Sequence, residues 1–199
     1  FHTDAVQSIA KIPFDLKDCP VDLLSISAHK FYGPKGVGAL YLRKGTPALF
    51  SPLCGGNQEK KRRGGTENVA GIMGFGKACE LATEKMSETS KLADLRDYFQ
   101  NRVCELIPRT ELWGDKANRL PNTLNLGFDG VAGDTLLIAL DMEGVAVSTG
   151  SACSSGTGLP SPVLRAMGIP NDKINSSIRF SLGCSISKSD LDLVVGTLV

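Results

Sequence analysis

The sequence predicts an α/β protein. Three observations carry the prediction. A short apolar run at 21–26 is bounded by Gly and Pro, which reads as a buried strand. Two longer stretches, 66–82 and 88–107, place apolar residues at helical spacing. The remaining half alternates strand-like and helix-like segments, as α/β domains do.

Residues 1–6 read as a short strand carrying Asp4 and ending near Gln7. Ile12-Pro13 and Cys19-Pro20 punctuate the link to the 21–26 strand. Residues 36–42 form a third strand, ending at Arg43 and Lys44. Strand, loop and strand with little helix between them read as the edge of a larger sheet. Residues 45–65 are a loop rich in Gly, Pro and charge. It includes the basic run from Lys60 to Arg63, which reads either as a solvated loop or as an attractor of anions. Thr66 is the expected N-cap of the first helix, with Glu67 in its first turn. That helix carries Ile72, Phe75, Ala78, Cys79 and Ala82. The second carries Leu92, Leu95, Phe99, Val103 and Leu106. Cys79 and Cys104 are expected in the core.

Past Pro108, residues 123–128 alternate as a strand and Asp129-Gly130 makes a turn. A helix is expected at 134–142, a short strand at 145–148, and a helix after Ser161-Pro162 that ends at Gly168. Residues 177–181 form another strand. Ser187 and Asp190 resemble a capping box for a final helix. The expected division is 1–86 and 87–199.

A chain of 199 residues can build a sizeable core. Its net charge of +1 gives no general attraction for nucleic acid or a membrane surface. Apolar runs are far shorter than a membrane span. Six scattered Cys without a Cys-x-x-Cys pair, and two His, make a poor zinc set. Reduced thiols in a cytoplasmic compartment, or an organelle matrix, are the expectation. Phe1 is not Met and already lies inside a strand-like segment, so a fragment is expected.

Three stretches carry chemistry. Ser27, His29 and Lys30 sit at the exit of the 21–26 strand, where α/β sheets bind ligands. Ser27 and His29 can donate to a phosphate, and Lys30 offers an amine. An amine beside a phosphate site suits Schiff-base chemistry on a phosphorylated aldehyde, which means pyridoxal phosphate. A surface lysine in a turn fits these residues equally well. In the second stretch, 148–158, small residues surround Cys153. That leaves an unshielded thiol able to act as a nucleophile, or else a Gly/Ser linker that contains a cysteine. In the third, Arg179 lies between apolar neighbours in a strand. It is either a rigid clamp for a carboxylate or half of a structural ion pair.

Taken together, the motifs resemble a known family. His2-Thr3-Asp4-Ala5-Val6-Gln7-Ser8, Ser27-Ala28-His29-Lys30, Gly33-Pro34-Lys35-Gly36, Arg63-Gly64-Gly65-Thr66-Glu67-Asn68, Ser151-Ala152-Cys153 and Ser177-Ile178-Arg179-Phe180-Ser181 follow in order. The set resembles NifS/IscS-type cysteine desulfurases, pyridoxal-phosphate enzymes of the class V aminotransferase family, over the whole chain. The resemblance implies the C-terminal half of a fold-type I enzyme: the remainder of the large-domain mixed sheet (1–86) and the small α/β domain with the Cys153 loop (87–199).

It also implies roles. Lys30 matches the Schiff-base lysine, and Asp4 the carboxylate on the pyridine nitrogen. Gln7 matches the contact to the phenolic oxygen, and Ser27 and His29 the phosphate ligands. Thr66 matches a residue reaching the phosphate of the partner subunit, which implies a homodimer. Cys153 matches the nucleophile that takes sulfur from L-cysteine, releasing L-alanine. Arg179 matches the clamp on the substrate carboxylate. The persulfide on Cys153 would pass to an iron–sulfur scaffold or another acceptor protein. The family carries roughly as much chain again before Phe1, with further phosphate and ring contacts, so this chain is expected to hold an incomplete site. The absence of an Arg-x-Gly-His-His pattern favours the NifS/IscS branch over the SufS-like one. The alternatives are a selenocysteine lyase and an inactive scaffold for assembly partners.

Overall fold

The computed structural model describes residues 1–51, 53–150 and 160–199. They divide into two compact units, Phe1–Ser87 and Glu88–Val199.

The first unit is built on three strands. β1 (His2–Asp4) runs parallel to β2 (Leu23–Ser27), and β2 runs antiparallel to β3 (Gly38–Leu42). The sheet is therefore mixed. Arg43 ties down the β1–β2 connection, donating from Nε to the Val21 carbonyl and from Nη2 to those of Leu16 and Cys19. A 3-10 turn, Ala28–Phe31, leaves the end of β2. Its Ala28 and Phe31 are buried and pack on the helix Val69–Glu84 through Phe75 and Ala78. The rings of Phe31 and Phe75 lie 5.7 Å apart. Gly33 is required by this packing, because a Cβ there would stand 2.8 Å from that of Ala28 and 3.1 Å from that of Ala78.

The N-cap of this helix corrects the sequence reading. Asn68, not Thr66, caps it, its Oδ1 accepting from the Gly71 N–H at 3.1 Å. Gly71 makes the cap possible, since a Cβ there would come within 2.5 Å of Asn68 Nδ2. The basic run also has a shape of its own. Glu59, Lys60 and Lys61 adopt left-handed backbone angles within Gln58–Lys61, which is not a regular helix.

The second unit has an antiparallel sheet in the order β4 (Thr110–Leu112), β5 (Thr123–Phe128), β6 (Ser177–Ser181). Helices Thr89–Leu106, Gly133–Met142 and Lys188–Leu198 contribute to its core with Phe99, Val103, Leu140, Leu191 and Val195. The sheet supplies Leu124, Leu126, Phe128, Ile178 and Phe180. Phe99 meets Phe180 edge-on at 5.0 Å. The capping box of Ser187 and Asp190 is present, and Ser161 with Pro162 starts the helix Pro162–Ala166 as expected.

Two expectations fail here, and β4 lies between Pro108 and residue 123, where the sequence reading places no element. Residues 145–148 form no strand; Ser148 alone makes a bridge, to Arg179. Cys79 and Cys104 lie on exposed helix faces rather than in the core, although partial burial still raises both thiol pKa values.

Candidate active site

β1 and β2 are parallel, with Asp4 opposite Ser25 in register. Their carboxyl ends therefore open at the same edge of the sheet, the place where α/β folds bind ligands. Asp4 ends β1, and Gln7 follows it in the next turn. Ser27 ends β2, and His29 and Lys30 follow in the 3-10 turn. The structure thus brings five of the expected residues to one edge.

The turn separates two jobs. Ala28 and Phe31 anchor it inward, while His29 is exposed and Lys30 half-buried. Tyr32, the next residue, holds a left-handed backbone at φ 69°, an uncommon position for a side chain with a Cβ. Ser27 Oγ and His29 Nδ1 lie 2.9 Å apart, so the hydroxyl and the imidazole can grip one anion together. Asp4 Oδ1 accepts the Val6 N–H at 2.9 Å, and its second oxygen makes no hydrogen bond among the described residues.

Two residues here carry no role in the sequence reading. His2 Nε2 lies 2.8 Å from Ser25 Oγ, between the two parallel strands. Lys11 donates to the Gln7 carbonyl at 3.1 Å and to Gln7 Oε1 at 3.3 Å. Burial, and next the charge of Lys30, push the Lys11 pKa down. The two lysines therefore feel one another, which makes this edge locally positive. The signal available in the sequence was the four-residue spacing between Gln7 and Lys11.

Thr66 is exposed, and its carbonyl accepts from Arg63 Nη2 at 3.1 Å. No hydrogen bond joins it to the Lys30 cluster among the described residues. Arg179 lies in the other unit, in the middle of β6 between buried Ile178 and Phe180. Its N–H donates to the Ser148 carbonyl at 2.6 Å, and its carbonyl accepts the Ser148 N–H at 3.2 Å. Its side-chain Nε is buried without a hydrogen-bond partner, and no ion pair to it is found among the described residues. Cys153 lies outside the described residues.

The donor set fits pyridoxal phosphate. It comprises an amine for an aldehyde, a hydroxyl and imidazole for a phosphate, and a carboxylate for a pyridine nitrogen. The mutually repelling lysines further favour an anion. No group of three or more His, Cys, Asp or Glu side chains able to hold a metal occurs among the described residues. No helix among them is long and apolar enough to cross a membrane.

An amine, an acid and an anion grip on one sheet edge are chemically suited to a phosphorylated, electrophilic group. Comparison with known proteins gives the family: the aminotransferase class-V profile matches residues 1–194, and the chain belongs to that family. It is 54% identical over 199 residues to cysteine desulfurase IscS of Dictyoglomus turgidum, and 49% identical over 201 residues to that of Clostridium botulinum. Both matches cover 100% of this chain and 50% of the relative. Among solved structures, the NifS-like protein from Rickettsia africae superposes with a TM-score of 0.89 at 32% identity, covering 100% of this chain and 52% of the other. The chain thus spans about half the length of the relatives it matches. The α/β fold and the NifS/IscS resemblance expected from the motifs are both borne out.

Proposed function

We propose that this chain forms part of a pyridoxal-phosphate-dependent cysteine desulfurase. The enzyme would take sulfur from L-cysteine, release L-alanine and supply iron–sulfur cluster assembly. The observation that carries the reading is the convergence of Asp4, Gln7, Ser27, His29 and Lys30 at the carboxyl ends of two parallel strands. The names of the relatives point the same way.

When bound, pyridoxal phosphate supplies an aldehyde for amines and a ring that withdraws electrons. Lys30 would hold the aldehyde through its amine, and its Nζ would move protons. Ser27 and His29 hold the phosphate. Thr66 serves the phosphate site of the partner subunit in a homodimer. Asp4 keeps the ring nitrogen protonated, and Gln7 contacts the phenolic oxygen. Arg179 grips the substrate carboxylate. The Cys153 thiolate bonds to the substrate sulfur while the carbon–sulfur bond breaks. The bonding pair stays on carbon and is protonated from Lys30, so alanine leaves and Cys153 keeps a persulfide. An acceptor protein then takes the sulfur. Residues 1–86 act as the rest of the cofactor-binding domain, and 87–199 as the smaller domain bearing the Cys153 loop.

The test is a single turnover of the full-length protein with cysteine, followed by peptide mass mapping. One alanine per persulfide, with the persulfide on Cys153, is expected. A persulfide on Cys54 or Cys184 instead would overturn the assignment of Cys153.

Asp4 has its own check. A charge-assisted hydrogen bond is worth about 1.5–3 kcal/mol, so Asp4→Ala should weaken cofactor binding roughly 10- to 100-fold and slow turnover. Titration of the cofactor's absorbance measures it. Wild-type affinity and rate in that variant would leave Asp4 as a turn residue that accepts from Val6 and nothing more.

A further inference from the structure

We infer that Lys11 is a positioning residue for Gln7: its ammonium holds the side-chain amide so that the NH2 end, not the carbonyl, is offered to the ring oxygen of bound cofactor. The inference rests on the cofactor reading above.

The argument starts from hydrogen-bond inventory. An ammonium has three donors and no acceptor. The Gln7 atom that Lys11 meets at 3.3 Å must therefore be the amide oxygen. With Oε1 engaged, Nε2 is the end left for a ligand, and an NH2 group is what a phenolic oxygen needs. Without Lys11, the amide can turn either end outward. A second bond, from the same Nζ to the Gln7 carbonyl at 3.1 Å, fixes the ammonium against the backbone of the residue it orients.

The backbone is shaped to bring the two together. Ser8 and Ile9 donate to the Ala5 carbonyl, and Lys11 and Ile12 donate to that of Ser8. Between these turns Ala10 takes φ +64°, a left-handed angle that costs a residue with a Cβ about 1–2 kcal/mol. The chain accepts that strain where it folds Lys11 back over Gln7. It also accepts a half-buried cation whose charged form is opposed by burial and by Lys30. A costly cation is hard to explain as surface decoration, and groups perturbed in this way concentrate at functional sites.

The test uses the full-length protein loaded with pyridoxal phosphate, as wild type, Lys11→Met, Lys11→Arg, Gln7→Ala and the Lys11→Met/Gln7→Ala pair. The readouts are the dissociation constant for pyridoxal phosphate and the absorbance maximum of the bound cofactor. Lys11→Met and Gln7→Ala should each weaken binding about tenfold and move the band in the same direction. The pair should be no worse than either alone, because both remove one contact. Lys11→Arg should restore the band. Lys11→Gln replaces Lys11→Met if the latter folds poorly. In ligand-free protein, the Gln7 side-chain NH2 resonance should shift on losing Lys11. Losses that add in the pair, or unchanged binding in Lys11→Met, overturn the role of Lys11 alone. A wild type that binds no pyridoxal phosphate overturns the cofactor reading, and this inference with it.

Discussion

Lys30→Ala should lose the covalent tie to pyridoxal phosphate and at least about 10³-fold in turnover, because it removes both an attaching amine and a general acid–base group. The fold should survive. Ala28 and Phe31 carry the packing of the turn, and Lys30 is only half-buried beside them. Stability should therefore stay within about 0.5 kcal/mol of wild type, as for substitutions away from the core. Two measurements separate chemistry from folding: alanine released per minute, and the thermal midpoint of the cofactor-free protein. The absorbance of the lysine-bound cofactor should vanish while free pyridoxal phosphate still binds, more weakly, through Ser27 and His29. Undiminished alanine production would remove Lys30 from the reaction.

Much of this edge was legible because the chemistry and the fold use the same residues. An apolar run followed by Gly and Pro is both a strand end and a ligand edge, so β2 and the Lys30 turn could be read together. The reason for Gly33 could not. It depends on how closely the helix Val69–Glu84 approaches the turn, a distance that no local pattern encodes. Thr66 and Asn68 show a related limit. Both residue types cap helices, and the choice fell to Asn68, with Gly71 leaving room for its side chain. Periodicity placed Cys79 and Cys104 in helices but not on a face, since each sits beside residues that are buried. β4 escaped because three half-buried residues make no alternating pattern. Arg96 is almost wholly buried, donating to the Leu120 carbonyl and pairing with Asp97, yet nothing in a helical repeat separates it from a surface arginine.

Arg179 is the residue whose two sequence readings the geometry can weigh. A structural ion pair needs a carboxylate, and none pairs with it among the described residues. Its Nε is instead buried and without a hydrogen-bond partner among the described residues, while its backbone is held on one side by Ser148 and by the Asn125 register of β5 on the other. An arginine on a fixed strand, with a buried donor unfilled among the described residues, suits a planar, bidentate acceptor such as the carboxylate of cysteine. Hydrogen bonds to a charged group are worth about 1.5–3 kcal/mol each, so Arg179→Ala should lower kcat/KM for cysteine by roughly 100-fold, largely through KM. Arg179→Lys keeps the charge but not the fork, and should recover only part of the loss. Stability should move the other way. Removing a buried donor that has no partner relieves a desolvation cost of about 1–3 kcal/mol, which offsets the lost packing of the side chain. The thermal midpoint of Arg179→Ala should therefore hold or rise. An unchanged KM together with a lower midpoint would mean that Arg179 serves the packing of β6 and not the substrate.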